Sequence, residues 1–187
     1  MKQYSRIVAD RICVSRILSE IREYFHESRI AVSQLRATAT ALASLKREMQ
    51  SLAASLPEHP VVMEMFSVGP ALGPQLMAEI GDVRRFHSKK ALVAFAGIDA
   101  PPYQSGQLDI YSRSISKRGS SSLRRTLFLV MGIYLQNSPA DEPIYQFMDK
   151  KRSEGKPYKV YMMASANKFL RIYYTTVKAY LDSLDEA

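Results

Sequence analysis

The sequence has few of the residues that build disulfides, zinc sites or membrane spans. Its 187 residues contain one cysteine, Cys13, which excludes an intramolecular disulfide and suits a reducing compartment. The three histidines are scattered, with no Cys/His pair at ligand spacing, so no structural zinc site is expected. No stretch approaches the roughly 20 apolar residues of a membrane span, and the first residues form no secretory signal. We therefore expect a cytoplasmic protein.

Glycine and proline are absent from residues 1–56, so nothing there forces the backbone out of a helix. Apolar residues recur every seven positions, with companions three residues further on, which predicts a coiled coil or a long helical hairpin. A polar interruption near Glu27-Ser28-Arg29 would be the turn of the hairpin. The alternative is a helix that packs on its own domain. The two rows contain Ile7, Val14, Ile21, Leu35, Leu42, Met49 and Leu56, and Ile17, Tyr24, Ala31, Thr38, Leu45 and Leu52.

A fold class follows from the breaks in the rest of the chain. Pro57-Glu58-His59-Pro60 ends the first helix and predicts a boundary between a helical segment, 1–56, and a second domain, 57–187. Further helices are expected over about 61–66, 73–80, 144–153 and 159–184. A serine cap at Ser88 predicts another helix, and a cap within the serine run 120–122 predicts one that reaches about Asn137. Alternation between 97 and 119 predicts a short β-ribbon or extended loop. The prediction is a mainly α protein.

The first two short helices of the second domain are joined by Ser67-Val68-Gly69-Pro70. Helix, glycine turn and helix is the layout of a helix-hairpin-helix element, in which turn amides and a helix N-terminus can hold a phosphate. Gly69 is therefore a candidate nucleic-acid contact. Helix pairs with glycine turns are also common in all-α domains that bind nothing.

Positive charge is concentrated between residues 84 and 125. Nine Lys/Arg and two acids, Asp99 and Asp109, lie there, so seven of the eight net positive charges of the chain fall in this segment. Such a concentration favours a polyanion as partner. An ordinary solvated face is the alternative. The cations are Arg84, Arg85, Lys89, Lys90, Arg113, Lys117, Arg118, Arg124 and Arg125.

Within this segment, the residues from Pro101 to Gly106 are expected to form a loop that brings the hydroxyl of Ser105 among the cations. A serine beside guanidinium groups can contact a phosphate or attack phosphorus, although a plain turn serine is commoner. Tyr103, Tyr111 and Tyr134 are other conceivable nucleophiles, but ring packing or base stacking suits them better. The remaining serines nearby are best explained as caps and turn residues.

The order of motifs resembles the C-terminal domain of DEDD-type insertion-sequence transposases, the family of Piv-type DNA invertases and bridge-RNA-guided recombinases. The resemblance covers about residues 60–182, and the helical segment before it is similar to the coiled coil of that family. Where family members often have Gly-x-Gly, this chain has Ser67-Val68-Gly69. The motifs are FSVGP (66–70), AEIGD (78–82), RF (85–86), ALVAFAG (91–97), YQSG (103–106), SKRG (116–119), LRR (123–125), Arg152, EGK (154–156) and NKFL (167–170).

The resemblance implies that Ser105 is the nucleophile of DNA strand cleavage and exchange. It also implies that a separate RuvC-like domain with four acidic ligands supplies Mg²⁺. These 187 residues have no room for that domain, so we expect the chain alone to be inactive. The implied partner is DNA, and some members of the family also bind a guide RNA. The resemblance further implies that copies of the chain form a homo-oligomer through the helical segment. The other implied contacts to nucleic acid are Arg85, Gln104, Gly106, Arg113, Lys117, Arg118, Arg124, Arg125, Lys156 and Lys168.

Two other functions remain open at this stage. The chain can be a non-catalytic helix-hairpin-helix module that binds DNA or RNA, or a helical oligomerisation protein whose basic charge is incidental. Salt-dependent binding separates the oligomerisation protein from the other two, because each neutralised phosphate adds close to one unit of log–log slope. A covalent adduct that depends on Ser105 separates the recombinase from the binding module.

Overall fold

A computed structural model describes the backbone of residues 2–100, 104–105, 108–109 and 114–186, and the side chains of residues 14–100 and 114–186. Over these ranges the chain is mainly helical, as the sequence predicts. The α-helices are α1 (Lys2–Ala54), α2 (His59–Met63), α3 (Leu72–Ile80), α4 (Lys89–Phe95), α5 (Ser121–Asn137), α6 (Pro143–Ser153) and α7 (Tyr158–Asp185). A 3-10 turn occupies Val83–Arg85, and β1 (Gln104–Ser105) and β2 (Leu108–Asp109) form a two-stranded antiparallel pair.

Helix α1 is continuous over 53 residues, about 80 Å at 1.5 Å per residue. The hairpin turn predicted near Glu27-Ser28-Arg29 is therefore wrong. The hydroxyl of Ser28 donates to the carbonyl of Tyr24 at 2.8 Å, and that of Thr38 to Gln34 at 2.8 Å. These polar side chains satisfy themselves on the preceding helical turn, so they interrupt the apolar row without ending the helix. The seam itself is exposed: Leu35 is 71% exposed and Leu45 is 63% exposed.

The chain divides into two units, residues 1–48 and residues 49–187. In the second unit α7 is the central helix and packs against α2, α4, α5 and α6. Its buried face includes Leu170, Tyr173, Val177 and Leu181, as the period of the sequence predicts, but the neighbouring buried methionine is Met162 and Met163 is only half-buried. None of the helices in the described part of the chain is both long and apolar enough to cross a bilayer.

Two buried tyrosines make the stability of the fold depend on pH in the alkaline range. Burial, with the negative charge of Glu142 near one and Glu58 near the other, raises the pKa of Tyr134 and of Tyr173 above the ordinary 10.0. A phenol with a raised pKa in the folded state stabilises the fold fully below pH 10, and this contribution is lost as pH rises further. We expect the phenolate absorbance of these two residues to appear only together with loss of helical circular dichroism.

The matched variants for this titration are Tyr134→Phe and Tyr173→Phe, which keep the ring and remove the ionising group. Each is expected to move the alkaline loss of helix to higher pH. Ionisation of all 11 tyrosines in a protein that keeps its helical signal would contradict the prediction.

The C-terminus of α7 is tied to the start of the basic segment. Arg84 donates to both carboxylate oxygens of Asp82 and forms an ion pair with Asp185 of α7. The hydrogen bond from the Arg84 side chain lowers the pKa of Asp82. Two carboxylates therefore neutralise Arg84, which leaves it less available to a polyanion than the count of charges in the sequence suggests.

Candidate nucleic-acid interface

The segment that carries Ser105 is closed at its base by two stretches of backbone, residues 95–99 and 116–120, which we call the loop stem. The amide of Ser120 donates to the carbonyl of Phe95 at 2.7 Å, and that of Lys117 to Gly97 at 3.0 Å. A third bond joins the amide of Ser116 to the carbonyl of Asp99 at 2.8 Å. Both ends of residues 100–115 therefore leave the helical domain at one place.

Two glycines allow the two sides of the loop stem to touch. A Cβ on Gly119 would lie 1.9 Å from the carbonyl oxygen of Phe95 and 2.7 Å from the amide nitrogen of Gly97. Gly97 has φ of +65° and faces the backbone of Gly119 in turn. No side chain fits between the two backbone segments of the stem. Glycine is required at 119 by the close approach of the backbone, and at 97 both by this approach and by its positive φ.

Side chains attach the loop stem to the surrounding helices. The hydroxyl of Ser120 donates to Oε2 of Glu79 on α3 at 2.9 Å and accepts from the amide of Leu123 at 3.1 Å, which makes it the cap of α5. Ser88 caps α4 in the same manner, through the amide of Ala91. The predicted cap at Ser88 is confirmed, and Ser120 is the cap within the serine run for which a cap was predicted.

Two further bonds act within the stem and between the stem and α5. The hydroxyl of Ser116 donates to Oδ1 of Asp99. Nη1 of Arg124 donates to the carbonyl of Ala96 at 3.0 Å. Arg124, a predicted phosphate contact, is thus half-buried and directed at the stem, with one guanidinium nitrogen engaged.

The predicted nucleophile lies in the strand pair between the two ends of the stem. Gln104 and Ser105 form β1, with Gln104 opposite Asp109 and Ser105 opposite Leu108. The side chains of Gln104 and Ser105 lie outside the described residues, as do Gly106 and Arg113 entirely, so the roles assigned to these four residues stay predictions.

Several predicted contacts surround the loop stem with positive charge. Lys117 and Arg118 are exposed on the stem itself, and Arg125 is exposed near the start of α5. The guanidinium carbon of Arg85 lies 4.7 Å from the ring centroid of Phe86 and 4.9 Å from that of Phe95. Because Phe95 also belongs to the stem, its ring holds Arg85 on the same side of the domain.

Lys156 and Lys168 lie on or next to α7, outside the loop stem. Lys156 is exposed in the connection between α6 and α7. Lys168 is half-buried, and its ammonium donates to the carbonyl of Pro143 at 2.7 Å and lies 5.0 Å from the ring centroid of Phe147. The structure gives Lys168 a role in joining α6 to α7, beside which its predicted contact with nucleic acid stays a prediction.

The turn between α2 and α3 has a different geometry from the one its glycine suggests. Ser67, rather than Gly69, has the left-handed backbone, with φ of +67°. Val68 is buried, and the carbonyl of Gly69 accepts from the first amides of α3, those of Leu72 at 3.1 Å and Gly73 at 2.9 Å. Gly69 itself has open space around it. A phosphate contact at this turn stays a prediction.

The described residues contain no group of three His, Cys, Asp or Glu side chains placed to hold a metal ion. Glu79, Asp99 and Ser116 occur in segments that the sequence analysis names, but the sequence predicts none of the hydrogen bonds that their side chains form. A signal existed in the paired glycines 97 and 119 that bracket the loop, but the contact from Glu79 to Ser120 spans 41 residues and has no local pattern.

Known proteins with similar sequences point to one family. Residues 59–146 match the model of the transposase IS116/IS110/IS902 family. A putative transposase, y4rJ, of Sinorhizobium fredii (strain NBRC 101917 / NGR234) is 28% identical over 101 residues, which cover 54% of this chain and 25% of that protein. The pilin gene-inverting proteins of Moraxella bovis and Moraxella lacunata are each 31% identical over 112 residues, 59% of this chain and 34% of theirs. The chain thus matches a quarter to a third of the length of these relatives.

Proposed function

We propose that this chain, whose residues 59–146 match the model of the IS116/IS110/IS902 transposase family, supplies the DNA-binding surface and the nucleophilic serine of a DNA recombination reaction. One observation carries the proposal. The loop stem holds both ends of the segment that contains Ser105, and the exposed side chains of Lys117, Arg118 and Arg125 lie on the stem or at the adjoining start of α5. We propose that a phosphodiester next to Ser105 lies among these cations.

The proposed step is a transesterification at phosphorus. The hydroxyl oxygen of Ser105 attacks a DNA phosphate, a serine–phosphate bond forms, and one bond from phosphorus to a deoxyribose oxygen breaks. The proton of Ser105 passes to a base, and the departing sugar oxygen takes up a proton. Cations such as Arg118 and Arg125 offset the charge that the phosphoryl oxygens gain in the transition state.

A serine hydroxyl is a weak nucleophile until a base or a metal ion activates it. We propose that this activation comes from Mg²⁺ bound by acidic residues of a RuvC-like domain outside this sequence. Such an ion would stabilise the attacking and leaving oxygens. The residues of this chain contribute the hydroxyl and the surrounding positive charge.

The partners we propose are DNA, with a guide RNA as a further nucleic-acid partner, and a second copy of the chain. The second copy would pair along the exposed apolar seam of α1. This seam repeats over more than three heptads, and its leucines lie open in a single chain. Pairing would bring two Ser105 loops into one assembly, as an exchange of two strands requires.

Trapping of a covalent intermediate tests the proposal. The metal-binding domain would be supplied either within one full-length chain or as a separate protein. The mixture would contain Mg²⁺ and nicked DNA with the ends of the insertion-sequence element. We expect a protein–DNA adduct that survives denaturation in wild type and falls by about 100-fold or more in Ser105→Ala, because the attacking oxygen is gone.

Ser114→Ala is the matched control, since Ser114 is an exposed serine just outside the loop stem, and it should keep the adduct. Persistence of the adduct in Ser105→Ala would move the chemistry to another residue. Salt-sensitive DNA binding without any adduct would leave a non-catalytic binding module. Absence of both would remove nucleic acid as a partner.

A further inference from the structure

An aromatic side chain at the start of α7 is held in place and yet open to solvent. The ring of Tyr158 packs edge to face on Phe128 of α5, with centroids 6.0 Å apart at 76°, and on Tyr161, 5.5 Å apart at 86°. Tyr161 is buried, whereas Tyr158 is 47% exposed. Two perpendicular ring contacts fix the orientation of Tyr158 and leave about half of its surface free.

The surroundings of this ring are strongly basic. Five Lys/Arg lie within residues 150–160, against one acid, Glu154. The carboxylate of Glu154 is engaged by Lys151 at 2.7 Å. The amide of Lys156 donates to the carbonyl of Lys151 at 3.2 Å, which brings the basic last turn of α6 beside the start of α7. The cations are Lys150, Lys151, Arg152, Lys156 and Lys159.

The Tyr158 surface continues toward the loop stem along α5. Phe128, the ring that supports Tyr158, follows Arg125 by three residues, and Leu129, 47% exposed, follows it by four. Residues three and four apart are neighbours on a helix surface. One side of α5 therefore carries the exposed side chains of Arg125 and Leu129 and the half-buried ring that supports Tyr158.

An open aromatic ring flanked by lysines is the arrangement by which proteins bind unpaired nucleotides. Any of the bases can stack on the ring, so binding does not depend on the nucleotide sequence, and the phosphates next to the stacked base contact the cations. A duplex keeps its bases stacked on one another and has no free face to offer. Charge and shape together favour a single-stranded nucleic acid over a helix from another protein.

We propose that Tyr158, with Lys156 and Lys159, forms a stacking site for an unpaired nucleotide, separate from the reactive loop. The proposal depends on the proposed function only in that the chain binds nucleic acid. It adds a residue that recognises a base, and a strand that is locally unpaired, to a surface described so far by its charge alone.

Fluorescence anisotropy with short labelled oligonucleotides tests this site in the full chain. The probes are oligo-dT, oligo-U and a DNA duplex of equal length, each titrated at several salt concentrations. We expect Tyr158→Ala to weaken single-strand binding by about 5- to 100-fold, because each stacked base contributes that much. The slope of log K against log salt should stay unchanged, since no charge is removed.

Three variants make the result specific. Tyr158→Phe keeps the ring and should bind within about 2-fold of wild type. Lys156→Ala should reduce the salt slope by about one unit. Val160→Ala, at an exposed position on the same helical turn, should change nothing. If Tyr158→Ala fails to fold, Tyr158→Leu, which keeps apolar bulk without a ring, takes its place.

Each result decides between the proposals. Unchanged single-strand binding by Tyr158→Ala overturns the stacking site and leaves the proposed function intact, as does an equal loss for duplex and single strand. No salt-sensitive binding by wild type overturns both. A loss of affinity for single strands alone supports the site. Whichever of oligo-dT and oligo-U binds more tightly then identifies DNA or RNA as the strand that the site binds.

Discussion

Replacing Gly119 by alanine is expected to destabilise the second unit by about 3 kcal/mol, the upper part of the range for overpacking. The added Cβ would lie 1.9 Å from the carbonyl oxygen of Phe95 and 2.5 Å from its carbon. Both are backbone atoms, so no side chain can turn away. Relief requires the loop stem to separate, which breaks the bond from the Ser120 amide to Phe95.

The measurement is urea unfolding of wild type and variant, followed by circular dichroism and compared at constant m-value. Gly132→Ala is the matched control, because a Cβ there meets nothing within 4 Å. Gly132 lies inside α5, where alanine is the better helix former, so this variant should stabilise by about 0.5–1 kcal/mol. Equal stability of Gly119→Ala and wild type would mean that the stem does not close as described.

Replacing two seam leucines of α1, Leu35→Asn with Leu42→Asn, is expected to weaken the proposed self-association by about 100-fold or more. A fully buried leucine contributes about 1.5–3 kcal/mol, and a dimer would lose four of them. A single polar residue at such a position already lowers coiled-coil stability. Sedimentation equilibrium of the full chain over a range of concentrations measures the effect.

The control has the same change on the opposite side of the helix. Ser33→Asn with Thr40→Asn also places two asparagines seven residues apart, at exposed positions outside the two apolar rows, and should associate like wild type. Deletion of residues 1–48 should, like the seam variant, give monomers. Their thermal unfolding should match that of the second unit in the full chain. A monomeric wild type, or equal effects of the two double variants, would exclude the seam as an interface.

Local signals in the sequence predict the helices well and the candidate site only in part. The caps at Ser88 and Ser120 and the end of the first helix near Pro57 follow from backbone chemistry within a few residues. The turn near Ser28 is wrong because a polar residue in an apolar row is weak evidence for a break, when its hydroxyl can bond to the helix itself.

Positive charge in the sequence gives the region of the candidate interface but not the environment of each cation. Arg84 is neutralised by Asp82 and Asp185, and Arg124 is directed at the carbonyl of Ala96. The partners of these two arginines lie up to 101 residues away, so they depend on tertiary packing. The sequence around Tyr158 does not predict a binding site, because the orientation of its side chain depends on a contact with the ring of Phe128 on α5.

The loop stem also bears on how this domain can diversify. Since the segment from 100 to 115 leaves and re-enters the domain at adjoining backbone, its length is not tied to the spacing of any two helices. Doubling a flexible loop adds only about 0.6 kcal/mol of closure entropy. Insertions between Ala100 and Ser114 can therefore change what the loop meets while the helical scaffold stays the same, and such graftable loops are where new specificities arise at low cost in stability.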